Sequence, residues 1–286
     1  MGRLPFSQED PLETDTVNNL FSPAASRVML LYLILIGIFL FTPIVFNLYL
    51  SFSARRFPGF PVTDYSLKWY LEAFHDARLT EALIRTLIVS SLVAPVATLL
   101  GGLAAYADYR FKFFGKRLAL ALGLLPPTIP IVILGLAFLA YLARFNLTAS
   151  LTGVVISHIV ICIPFAMALI RLRLAQMDRD LEPAAWNLGG SQFQVFWAIV
   201  IPFCLPAIMA SLLLTFAVSF DEFTIAWFIG GTEQTLPVRV LNMVEREASP
   251  MINVIGTITF TVTLTLVGIA LILLSLSRLR TTRASR

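Results

Sequence analysis

Six long stretches of this 286-residue chain carry no Asp, Glu, Lys or Arg: 28–54, 86–107, 118–143, 145–170, 183–220 and 248–277. Crossing a hydrocarbon core of roughly 30 Å takes about 20 apolar helical residues. The stretch 183–220 is too long for one span, and Gly189, Gly190 and Pro202 interrupt its first half. The pattern predicts an all-α integral membrane protein with six transmembrane helices, near 28–50, 83–107, 118–142, 150–172, 203–228 and 253–276. The first is read as a retained span. Its apolar stretch exceeds a signal-peptide core, acidic residues (Glu9, Asp10, Glu13, Asp15) precede it, and no cleavage site follows.

Composition agrees. Hydrophobic residues make up 58% of the chain and charged ones 13%, about half the usual share of roughly 25%. A chain of this length cannot bury so much apolar surface in a water-soluble globule, and a disordered chain would be poor in apolar residues. The net charge of +4 does not point to nucleic acid, because the basic residues sit mostly in short loops, where they set topology. With the N-terminus inside, cytoplasmic segments hold 13 Lys and Arg and outer segments hold 7, so both termini are expected in the cytoplasm. Cys162 and Cys204 both lie in apolar stretches, which implies no disulfide framework. Two histidines, His75 and His158, with no clustered cysteine, argue against a metal site.

The cytoplasmic segment 173–202 carries the most information. Pro183 suits a first helical turn, and Gly189 or Gly190 suits a left-handed stop. Ser191 with Gln194 has the form of a capping box, so a second helix is expected from Gln192. Physics alone leaves two readings open, an amphipathic connector or a helix–turn–helix that docks a partner.

Here Ala184-Ala185, Gly189, Ile199 and Pro202 resemble the EAA loop of permeases in binding-protein-dependent ABC importers. Two positions depart from that pattern: Pro183 stands where the family has Glu, with Glu182 one residue earlier, and Ile201 replaces a Leu. A one-residue offset turns a helical side chain by about 100°, so Glu182 does not inherit the family contact directly. Further segments resemble the spermidine/putrescine, PotC-type subfamily: Ser66-Leu67-Lys68-Trp69-Tyr70, Pro127 with Pro130, Ser157-His158, Pro164-Phe165, Ser219-Phe220-Asp221-Glu222-Phe223, Thr235-Leu236-Pro237, and Ser249-Pro250 with Asn253 and Thr257. The resemblance covers about residues 30–276.

It implies a type I importer permease fold in a bacterial inner membrane, with Glu182, Pro183, Ala184, Ala185, Asn187, Gly189 and Ser191 as the surface that meets an ATPase. It also implies a second homologous permease, two ATPase subunits and a periplasmic solute-binding protein as partners. No G-x(4)-G-K-[ST] phosphate loop occurs in the chain, so ATP and Mg belong to the partner ATPase, and no cofactor or enzymatic activity is expected here. The expected parts are an N-terminal tail (1–27), a permease domain (28–278, with its core at 81–276 and the coupling loop at 173–202) and a basic tail (279–286).

Polar groups inside a span usually face a bundle interior or an aqueous path. Asp221 and Glu222 are adjacent, so they point about 100° apart. Glu222 continues a stripe of Ser211, Thr215 and Ser219, whereas Asp221 continues Ala210, Leu214 and Ala217. Glu222 is therefore expected on the path and Asp221 in a packing or gating contact. Asn253, Thr257, Thr261 and Thr265 form a second stripe, for which helix packing is the first reading and solute contact the other. Pro127 and Pro130 either line the path or simply kink the third span. His158 is read as an interhelical hydrogen-bonding residue, with a proton relay as the alternative. The expected cargo is a polyamine or related small organic cation. Other cargo classes are an opine, an amino-acid derivative, a sugar or a polyol, and an ion-coupled secondary transporter is the competing mechanism.

Overall fold

The computed structural model describes residues 23–56, 59–178, 180–246, 251–265 and 268. The acidic N-terminal segment, Ser249-Pro250, the end of the last expected span and the basic C-terminal tail lie outside them. Four helices are long and apolar enough to cross a membrane, and two shorter apolar ones accompany them.

Helix α1 (Pro23–Ser51) is the most apolar of these four, and its side chains are exposed along most of its length, as lipid contact requires. A short helix α2 (Lys68–His75) leads to α3 (Ala77–Arg110). Helix α3 starts where the Asp76 carboxylate accepts from the Arg78 and Leu79 N–H groups, satisfying two donors that a helix start leaves open. Helix α3 packs closely on α6 (Leu151–Leu174). A Cβ added at Gly101 would lie 2.8 Å from Ala166 Cβ, the Ile163 carbonyl and the Met167 N, so the absent side chain sets the crossing. Gly101→Val is expected to force the two helices apart at a cost of about 1–3 kcal/mol. The melting temperature of the detergent-purified protein should fall. Gly37→Val, where nothing lies within 4 Å, serves as the control that should not shift it.

The third expected span is not one helix. Helix α4 (Lys116–Gly123) ends before a 3₁₀ turn at Pro126–Thr128, and α5 (Ile131–Ala143) resumes beyond Pro130. Three prolines in five residues remove donors that a continuous helix needs. The fifth span differs more. Helix α8 runs from Gln192 to Asp221, beginning earlier and stopping sooner than 203–228. The Ser191 capping box forms as expected, with Ser191 Oγ and the Gln194 side chain each taking the other's backbone N–H. The helix it caps is not a separate short one but the start of the span itself. A π-helical turn at Phe196–Val200 precedes Pro202 and absorbs the backbone mismatch that a proline brings. A short helix α7 (Leu181–Asn187) precedes α8, and α9 (Thr224–Ile229), α10 (Leu236–Arg246) and α11 (Met251–Thr265) come after it.

Three apolar clusters hold the bundle. Val89, Val93, Val154 and Ile225 fill the middle, and Phe220, Met243, Val254 and Ile255 fill the region near α10 and α11. Met167, Leu174, Val200 and Cys204 join the end of α6 to the first half of α8.

Candidate functional site

At about 1.5 Å per residue, the 30 residues of α8 carry the chain about 45 Å from the α7 elbow to Asp221. The helix ends because Glu222 adopts an extended backbone (φ −72°, ψ 118°). Its carboxylate then folds forward over the start of α9. Oε1 accepts from the N–H groups of Thr224 (2.9 Å) and Ile225 (3.1 Å), and Oε2 from Ile225 (3.0 Å) and Ala226 (3.3 Å). On its other side Oε2 lies 3.2 Å from His158 Nε2. His158 is fully buried and its Nδ1 lies 3.0 Å from Ser219 Oγ. His158 on α6 is thus hydrogen-bonded through Nδ1 to Ser219 near the end of α8, the interhelical role expected of it, while Nε2 approaches Glu222 without a hydrogen bond.

The two acids sit on the same cavity but are engaged differently. Glu222, expected on the path, is turned inward and 8% exposed. Asp221 is exposed and makes no ion pair among the described residues. The stripe behind Glu222 faces inward with it: Ser211, Thr215 and Ser219 are buried, and Thr215 Oγ1 approaches Thr98 Oγ1 of α3 (3.4 Å) and the Ala94 carbonyl (3.4 Å). Hydroxyl groups here tie helices together and satisfy themselves on backbone carbonyls. The opposite stripe, with Ala217 and Asp221, lines a cavity of about 1030 Å³ whose other walls include Leu236, Val240, Phe260 and Thr263. The walls are mainly apolar; both acids lie on them, Asp221 exposed and Glu222 buried with its carboxylate on the α9 cap.

Other path candidates lie elsewhere. Asn47 Nδ2 of α1 donates to the Asn253 backbone carbonyl (3.1 Å) and to Thr257 Oγ1 (3.4 Å), so this end of the stripe packs against α1, whereas Thr261 and Thr265 are exposed. On α11 the cavity takes Gly256, Thr259, Phe260 and Thr263 instead. Pro127 and Pro130 are exposed at the α4–α5 break, and neither lines the cavity.

At the cytoplasmic end, α7 has two faces. Pro183, Ala184, Asn187, Gly189 and Ser191 are exposed, whereas Ala185 is half-buried. Gly189 adopts φ +88°, the left-handed conformation that glycine takes at little cost, and so the chain turns back into α8. Glu182 points inward, 4% exposed, with Oε2 3.3 Å from Arg110 Nε at the end of α3. Leu188 and Phe193, absent from the residues expected at this elbow, are 90% and 73% exposed beside it. Their signal was available: large apolar residues flanking a glycine turn outside any span.

A bundle of membrane-crossing helices with an outer cavity open on one side and a helical elbow at the other end defines a subunit of a membrane transport assembly. Similarity to known proteins gives the family. A family described as "Binding-protein-dependent transport system inner membrane component" matches residues 97–284, and the chain belongs to it. It is a multi-pass inner-membrane transport subunit and not an enzyme. Among similar proteins, the putrescine transport system permease protein PotI of Escherichia coli (strain K12) is 30% identical over 254 residues, covering 85% of this chain and 88% of that one. The spermidine/putrescine transport system permease protein PotC of Haemophilus influenzae is 27% identical over 228 residues, covering 79% and 88%. The fold resembles a solved bacterial ABC transporter that imports alginate, with a TM-score of 0.68 and 16% identity over 94% of this chain and 99% of that one. It also resembles the MetNI methionine transporter, with a TM-score of 0.56 and 13% identity over 71% and 99%.

Proposed function

We propose that this chain forms half of the translocation path of an ATP-driven importer of a polyamine or related small organic cation. The observation that carries the reading is the outer cavity. Its apolar walls suit a chain of methylenes, and Asp221 supplies a carboxylate for an ammonium group where low dielectric strengthens the attraction. The relatives named for putrescine and spermidine transport support the same cargo.

A second permease completes the path, two ATPase subunits supply the energy with their own ATP and Mg, and a periplasmic binding protein delivers the solute. The exposed face of α7, with Pro183, Ala184, Asn187 and Gly189 and the neighbouring Leu188, docks on an ATPase. Small residues allow close approach, and the exposed leucine adds apolar area that docking would bury. Closure of the ATPase pair draws the two elbows together and reorients the helices, so that the cavity opens alternately to each side.

The test is reconstitution of the four kinds of subunit in proteoliposomes, with labelled putrescine, spermidine and a neutral sugar offered to the binding protein. Uptake of the polyamines that requires both ATP and binding protein is the expected result. Uptake driven by a proton gradient without ATP would overturn the importer reading. Transport of the sugar alone would overturn the cargo assignment.

A further inference from the structure

We infer that the ion pair between Glu182 and Arg110 is the lever that passes movement of α7 into α3, making both of them positioning residues for transport. The inference rests on α7 being the element that docks on the ATPase. Glu182 and Trp186 stand one turn apart on the inner face of α7 and grip the same side chain. The carboxylate lies 3.3 Å from Arg110 Nε, and the Arg110 guanidinium carbon lies 4.5 Å over the Trp186 ring. The outer face of α7 is thereby left for a partner while the inner face holds the last residue of α3.

Helix α7 reaches α8 through the chain itself, by way of the Gly189 turn. Helix α3 is no sequence neighbour of α7, so a push on α7 enters α3 through side chains. The adjacent charges do a different job. Asp108, just before Arg110, pairs with Arg171 of α6 (2.6 Å) and Lys116 of α4 (3.0 Å), which ties α3 to its bundle neighbours and leaves α7 out. From Arg110 outward, α3 is one continuous helix of 34 residues. It meets α8 at Thr98 and Ala94. Near its outer end, Thr86 Oγ1 accepts the Leu236 N–H at 2.7 Å, and Leu236 lines the cavity that holds Asp221. A continuous helix, with Pro95 in its interior, thus runs from the elbow to the wall of the path, and its inner end is held by an ion pair whose carboxylate is buried and whose guanidinium is partly exposed. Removing one partner of such a pair leaves an uncompensated charge, so single substitutions alone cannot separate transmission from folding.

The experiment is a charge exchange in the fully assembled importer, reading putrescine uptake per ATP hydrolysed together with retention of the ATPase on purification. Glu182→Gln and Arg110→Gln are expected to retain the ATPase and hydrolyse ATP, yet to lose about tenfold in uptake per ATP. The exchanged pair Glu182→Arg with Arg110→Glu should recover most of that loss. Where a single variant fails to accumulate, the exchanged pair is compared with wild type directly, and a deficit of about tenfold with full assembly overturns the inference. It is equally overturned by single variants with wild-type uptake per ATP, or by single variants that shed the ATPase, which would make the pair a support for docking. Failure of the docking reading shows separately: cysteines placed at Ala184 or Asn187 would then form no cross-link to the ATPase, whatever the behaviour of the ion pair.

Discussion

Glu222→Ala is expected to deplete folded protein rather than merely slow transport. The carboxylate accepts from three N–H groups at the start of α9 and holds His158 from the other side. Each buried donor left without a partner costs about 1–3 kcal/mol. Water entering from the cavity can recover part of this, which leaves an expected loss of about 3–5 kcal/mol, the range for breaking a buried pair. Glu222→Gln keeps one acceptor oxygen and turns an amide donor toward backbone donors, so it should fall between alanine and wild type. Size-exclusion profiles of fluorescently tagged protein after a heat step read this directly. Alanine and wild-type profiles that coincide would show that the cap contributes nothing to the fold.

Asp221→Asn should do the opposite: leave the fold intact and impair transport. Asp221 is exposed and makes no ion pair among the described residues, and Asn is nearly isosteric, so the melting profile should not move. The variant loses a charge-assisted contact to a passing ammonium, worth about 1.5–3 kcal/mol, equivalent to about ten- to hundredfold in uptake. The measurement is initial uptake of putrescine at saturating loaded binding protein, with wild type and Asp221→Glu in parallel. The Glu variant keeps the charge and should retain more activity than Asn. Equal uptake by Asp221→Asn and wild type would sink the role given to this residue. The two acids, side by side in the chain, should therefore separate cleanly into a stability phenotype and a transport phenotype.

The elbow was largely legible before the fold was known. Ser191 with Gln194, Pro183 and Gly189 are local signals that depend on backbone donors and φ angles within a few residues, and the capping box and the left-handed glycine appear where they were expected. The end of α8 was not legible. No proline or glycine marks Glu222, and a Glu side chain reaching forward over the next helix is not among the usual capping residues. The faces of the path candidates were not legible for a related reason. A stripe of Ser and Thr suits either a helix interface or an aqueous wall, and periodicity does not say which neighbour a stripe will meet. Thr215 meets α3 and Thr257 meets α1, facts of packing between segments far apart in the chain.

By itself, the sequence determined the solvent, the helical class, the punctuation at the prolines and the cytoplasmic elbow, because these depend on transfer free energy and local backbone chemistry. Its motifs pointed to the family as well. Only the tertiary structure decided which face of each helix is buried, that Glu222 caps and Asp221 is exposed, and that Glu182 is spent on Arg110. Neighbouring residues on a helix point about 100° apart, and only contacts with other helices choose between them.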